Sequence, residues 1–174
     1  MKYLLAISTL MLMLGCSTTP MTERGRESLD YQCARTVQKF RHSGLGRMFD
    51  NSAAYAVFPN VAKGAASFGG AYGRGQMFQN GQMIGYCDLS QGSFGLQLGG
   101  QVYSEVIFFR DQLAADHFKS GNFAFAAQAS AVAAVVGATA DVDYEGGVVV
   151  YSMSKAGLMY EAALGGQKFT FEPG

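Results

Sequence analysis

The chain has 174 residues, 49% of them hydrophobic and only 15% charged, with Lys and Arg balanced against Asp and Glu at 13 each. Soluble domains average about 25% charged residues, so this composition excludes a disordered chain and, without a basic excess, a general nucleic-acid binder. The length suits one domain with a real core, and the unusual trait is 23 glycines beside 13 Phe and 9 Tyr.

The first residues read as an address. Lys2 supplies a positive start, and Tyr3 to Leu14 is apolar except for Ser8 and Thr9. This run is well short of the roughly 20 residues that cross a bilayer, so it fits a secretory leader better than a spanning helix. Leu14-Gly15-Cys16 resembles the lipobox of bacterial lipoproteins, with Met13 where Leu is usual. The resemblance implies a leader over 1–15, a lipid anchor on Cys16 and a tether over 16–22. Ser17, where an Asp would retain such proteins in the inner membrane, implies the outer membrane. An ordinary leader that contains a cysteine is the alternative. Cys33 and Cys87 are then left, either paired in an oxidising compartment or buried as small apolar residues.

Residues 23–52 read as helical. Leu29, Cys33, Val37 and Phe40 recur on one helical face, and Arg24, Arg26, Glu27, Arg35, Lys39 and Arg41 lie mostly elsewhere. Gly44 and Gly46 stop the pattern, and a second short helix fits Gly46–Ser52. From Ala54 to residue 174 the chain reads as strands. Ala54–Phe58 runs into Pro59, which suits a strand end or a sheet edge. Ala65–Tyr72 is a further strand, and Gly75–Phe78 and Gln82–Asp88 flank a hairpin turn at Asn80-Gly81. Ser93–Tyr103 alternates with period two, Phe94, Leu96, Leu98 and Val102 against Ser93, Gly95, Gln97, Gly99 and Gln101, so it reads as one strand; Glu105–Arg110 is a more buried one. Asp111 caps a short helix to Lys119 that Gly121 ends. Phe123–Ala138 fits a strand or an alanine-rich helix, with its context favouring strand. Val148–Ser154, Leu158–Leu164 and Lys168–Phe171 close the series. The expected class is α+β: N-terminal helices, then a glycine-rich, mainly antiparallel sheet or barrel-like domain with one short inserted helix, all in a single domain over 23–174.

No catalytic, cofactor or metal constellation emerges, so no enzyme activity is expected. His42 and His117 lack zinc-ligand spacing with the cysteines or each other, and no Gly-x-Ser-x-Gly elbow is present. The loop Gly69-Gly70-Ala71-Tyr72-Gly73-Arg74-Gly75 would cradle phosphate only ahead of a helix, and Gln76-Met77-Phe78 reads as strand. A membrane-spanning β-barrel is disfavoured by the helical first quarter and by strands that look shorter than the 9–11 residues a span requires.

Several motifs occur in order: Val57-Phe58-Pro59-Asn60-Val61-Ala62-Lys63-Gly64, then Phe68-Gly69-Gly70-Ala71-Tyr72-Gly73-Arg74-Gly75, then Gly92-Ser93-Phe94-Gly95-Leu96-Gln97-Leu98-Gly99-Gly100-Gln101. Gly121-Asn122-Phe123, Ala127-Gln128-Ala129-Ser130-Ala131, Val150-Tyr151-Ser152 and Gly157-Leu158 follow. From Tyr55 onward the chain resembles the SYLF domain, a lipid-binding module of bacterial envelope proteins and of eukaryotic membrane-trafficking and actin-patch proteins. Two segments depart from it. Ala134-Val135-Val136-Gly137-Ala138 lacks the family's proline and arginine, and Ile84-Gly85-Tyr86-Cys87 replaces its aromatic-Ser-Ala-Pro stretch. The resemblance implies affinity for anionic phospholipid, with actin an unlikely partner for a bacterial lipoprotein. Lys63 and Arg74, the cations inside the motifs, are the candidate lipid contacts, and Arg41 and Arg47 add a basic face from the helical region. A structural salt bridge is the alternative for Lys63 and Arg74, and an ordinary solvated face for the helix charges. The competing function is a structural lipoprotein that docks on another envelope protein.

Overall fold

The computed structural model describes residues 22–66, 68–93, 101–121, 144, 146–154, 157–160 and 167–174. The leader, Cys16, most of the tether and the ambiguous segment 123–138 lie outside the described residues. Helix α1 spans Glu23–Phe40 and α2 spans Gly46–Asn51, joined by a π-helical segment Arg41–Leu45. Thr22 caps α1 by accepting from the Gly25 N–H. Gly44 sits at φ 99° inside the π segment, a conformation cheap only for glycine, and this is what lets the chain turn from α1 into α2. The strands are β1 (Ala54–Ala66), β2 (Phe68–Gln79), β3 (Gln82–Ser93), β4 (Gln101–Phe109), β5 (Val148–Ser154), β6 (Gly157–Tyr160) and β7 (Gln167–Pro173). Helix α3, Gln112–Lys119, follows β4 and is capped by Asp111, which accepts from the Ala114 N–H.

All strand pairs are antiparallel, in the order β6-β5-β4-β1-β2-β3-β7. The architecture is α+β, as expected from the helix-then-strand order. The central strands alternate between two buried faces. Ala54, Ala56, Phe58, Ile107, Phe109, Val148 and Val150 join one core with Ala114, Ala115 and Phe118 of α3. Val57, Val106, Phe108, Val149 and Tyr151 join a second with Phe40, Leu45 and Phe49 of the N-terminal helices. Both faces of β1 and β4 are therefore apolar, the pattern of strands covered on two sides.

The sheet is strongly rolled. Strands β4 and β7 stand four places apart in the order, about 19 Å in a flat sheet at normal strand spacing. Yet the Gln167 side chain of β7 donates to Glu105 of β4 at 3.4 Å, and the Phe58 and Phe169 rings are 5.9 Å apart. The face carrying α3 is thus concave, and the face under α1 and α2 convex. Among the described residues no pairing joins β6 to β7, so the roll is not a closed barrel.

Four expectations need correction. Pro59 lies inside β1, a central strand of 13 residues, and not at a strand end or sheet edge. It falls where the register with both neighbours shifts, a bulge that leaves its missing N–H without a ladder role. The stretch Ala65–Tyr72 is not one strand; the chain reverses between Ala66 and Phe68, which face each other across β1 and β2. The alternating run Ser93–Tyr103 begins in β3 and ends in β4, which are not neighbours. Finally, β2 and β3 are 12 residues each, so shortness is no argument against a membrane barrel. Better grounds are the helices packed on both faces of the central strands.

Cys33 and Cys87 are free and buried. The Cys33 thiol on α1 lies over the convex face, 3.8 Å from the Val57 carbonyl oxygen, while Cys87 belongs to the concave core. Burial, reinforced by the nearby Asp30 charge, pushes the Cys33 thiol up to about 12, and burial also raises Cys87. Both thiols are therefore protonated at neutral pH, and the thiolate is the reactive form. We expect neither to react with a thiol reagent at pH 8 in the folded protein, and both to react after denaturation without reductant. A denatured, unreduced protein lacking these two thiols would show a disulfide instead.

Candidate functional site

The four candidate cations do not converge. Arg41 leaves the π segment, pairs with Asp50 at 2.8 Å and lies 4.9 Å from the centroid of the Phe49 ring. That ring in turn packs edge-on against Tyr55 and Phe108 at 4.9 and 4.8 Å. Arg47 on α2 is exposed. Lys63 is half-buried and stands opposite Ala71, a concave-core residue, so it belongs to the concave face. Arg74 is on the other side of the sheet, since Ala71, Gly73 and Gly75 alternate with Tyr72, Arg74 and Gln76 along β2.

Arg74 has a partner directly across the ladder. Its register mate on β3 is Asp88, which accepts from Nε at 2.7 Å and from Nη2 at 3.3 Å. The Tyr72 hydroxyl donates to the same carboxylate at 3.1 Å. These hydrogen bonds hold the guanidinium proton more firmly than usual, Asp88 being the main cause. The Tyr72 phenol is raised by burial first and then by the Asp88 charge. The structure thus gives Arg74 the salt bridge that stood as the alternative to a lipid contact.

The helices explain which charges stay in water. Helix α1 crosses the convex face with Arg26 over the Tyr86 ring at 5.4 Å, Asp30 accepting from Gln76 and Cys33 above Val57. Its buried line is Leu29, Cys33, Thr36 and Phe40. Arg24, Arg35 and Lys39 are exposed, with Arg35 held 5.7 Å from the centroid of Tyr31. Residues 21–50 hold six Lys and Arg against four Asp and Glu, so this end of the molecule is basic.

Two features escaped the sequence reading. Lys168 on β7 is exposed and stands opposite Ser90. Tyr72 and Val102 are 50% and 58% exposed although both sit in strands. Alternation along β2 alone would have set Tyr72 beside Arg74; Val102 needed the β1–β4 register. Neither histidine marks a site: His42 Nδ1 lies 2.7 Å from the Gln38 carbonyl oxygen, and His117 is on the exposed side of α3. Among the described residues no group of three His, Cys, Asp or Glu is placed to hold a metal ion.

Comparison with known proteins gives two matches. Residues 90–173 match the family model Ysc84, described as Las17-binding protein actin regulator. The chain is also 29% identical over 72 residues to beta cell expansion factor A of Aeromonas veronii, a stretch that covers 41% of this chain and 28% of that protein. The chain therefore aligns with little more than a quarter of that relative. The matched segment takes in the end of β3 and all of β4, α3, β5, β6 and β7. It also includes the Gly-Ser-Phe-Gly motif at 92–95, while the two earlier motifs lie upstream of it. Residues 90–173, just under half of the chain, thus match the Ysc84 family model, in keeping with the SYLF domain that the ordered motifs resemble.

Proposed function

We propose that this protein is an envelope lipoprotein, anchored through Cys16, whose domain binds anionic phospholipid without catalysis. The family supports a lipid-binding or interaction role. The observation that carries the lipid reading is the basic helical end, where Arg24, Arg35, Lys39 and Arg47 are exposed. This end directly follows the tether, so an anchored chain would present it to the headgroups. Each cation held near an anionic surface contributes about 1 kcal/mol. The leader over 1–15, the tether over 16–22 and an outer-membrane location complete the proposal.

The full chain carrying Cys16→Ser, which cannot be acylated, is expected to co-float with phosphatidylglycerol vesicles at low salt and less with phosphatidylcholine vesicles. Equal failure on both would end the lipid reading. Arg47→Gln should weaken binding about fivefold, one interfacial cation's worth, whereas Lys63→Gln, on the opposite, concave face, should leave it nearly unchanged. Arg41→Gln should weaken it less, since Asp50 already engages that guanidinium.

A protein partner is the second reading. It is favoured by the family description, which names a binding partner, Las17. Crosslinking in the envelope to one stoichiometric protein, without vesicle binding, would establish it.

A further inference from the structure

The convex face is covered over only part of its length. Among the described residues, the hydrogen bonds of α1 to β1 reach as far as Asn60, whose side-chain amide donates to Gln32. Beyond it two cross-sheet rows are defined by the register. One places Asn60, Arg74, Asp88 and Thr170 side by side. The next runs Val102, Ala62, Tyr72, Ser90 and Lys168. In this second row the two large residues are half or more exposed, and Lys168 stands at the β7 end.

We infer that this uncovered face docks on an anionic phospholipid surface, and that the Asp88 carboxylate occupies the place on Arg74 that a lipid phosphate would take. The inference rests on the lipid-binding reading and names a face and a control for it. Asp88 meets Arg74 through two N–H donors, the forked geometry that guanidinium offers equally to carboxylate and phosphate. The pair is part-buried, with the Arg74 and Asp88 side chains 26% and 20% exposed, so each keeps an edge in reach of an incoming headgroup. The Tyr72 hydroxyl already donates into the same position, so an incoming oxyanion would inherit two donor groups. Lys168 adds a second cation on this face. Tyr72 and Val102 commit the occupant to a lipid surface, because a free phosphate would leave their apolar area in water, whereas a tyrosine ring is favoured at the headgroup level. Asp88 is thus a built-in competitor that holds affinity down.

The test compares full chains that all carry Cys16→Ser, so differences between variants report the face. Asp88→Asn keeps an acceptor for Tyr72 and removes the competing charge; it should bind phosphatidylglycerol vesicles about fivefold more tightly than the parent chain. Adding Arg74→Gln to Asp88→Asn should abolish the gain, and so should adding Lys168→Gln, a surface change with little bearing on folding. Inorganic phosphate should compete no better than chloride at equal ionic strength. If the parent chain binds these vesicles and Asp88→Asn binds no more tightly, the inference fails and the lipid reading stands. If neither binds, both fail. Displacement by phosphate beyond the chloride control would show a free-anion site and overturn the membrane-docking face.

Discussion

One added methyl group at Gly75 is expected to lower stability by about 3 kcal/mol, the upper part of the range for overpacking, or to prevent folding. A Cβ at that position would collide with the Val57 carbonyl oxygen and come within 2.7 Å of Phe58 Cδ1. Neither can yield. The carbonyl belongs to a central strand at its bulge, and the Phe58 ring is fully buried in the concave core. Gly75→Ala should drop the thermal midpoint by about 10 °C for a chain of this size. Gly46→Ala is the control: its Cβ meets nothing closer than the Arg41 carbonyl oxygen at 4.0 Å, and glycine to alanine in a compatible helix stabilises by about 0.4–1 kcal/mol. A Gly75→Ala protein that melts with the parent would refute the close-approach account of this motif.

Phe118→Ala is the second large effect, at about 3–5 kcal/mol. The ring is fully buried and lies 4.9 Å from the Phe109 ring and 5.1 Å from the Phe169 ring. It is the wedge that α3 drives into the concave side of the rolled sheet. Removing it leaves a cavity between β4 and β7 that rigid strands cannot collapse to fill. Chemical denaturation should show a lower midpoint with the slope unchanged, since the surface exposed on unfolding is nearly the same. A loss below about 1 kcal/mol would mean that α3 does not hold the roll.

The helical end was legible because its chemistry is local. Leu29, Cys33 and Phe40 repeat at helical spacing and are buried as that spacing requires. The Asn80-Gly81 turn was equally plain, and both residues have positive φ, 51° and 75°. Long-range registration was not legible. Continued without interruption from that turn, the hairpin would set Arg74 opposite Cys87. A register shift between Met77 and Phe78 sets it opposite Asp88 instead, and a one-residue slip of this kind changes every facing pair beyond it. The salt bridge that defines the candidate site was therefore hidden, although both of its residues were in view. Pro59 misled for a related reason, since a bulge satisfies its geometry as well as a sheet edge does. The reversal between Ala66 and Phe68 has only Ser67 in between, with Gly64 and Gly69 lying outside it, and so gave no turn signal. The glycine-rich motif, read as a loop ahead of a strand, lies wholly inside β2, and at Gly75 the need for glycine is steric.

The roll of the sheet has a consequence for the order of events during synthesis. Phe58 completes its packing against Phe169, and β3 pairs with β7 across most of the intervening chain. Partners so distant in sequence make closure slow. On a ribosome adding about 5–20 residues per second, the concave core stays open for seconds, until residue 169 has emerged. A nascent chain kept open for that interval remains threadable, which suits the secretory route proposed for its leader.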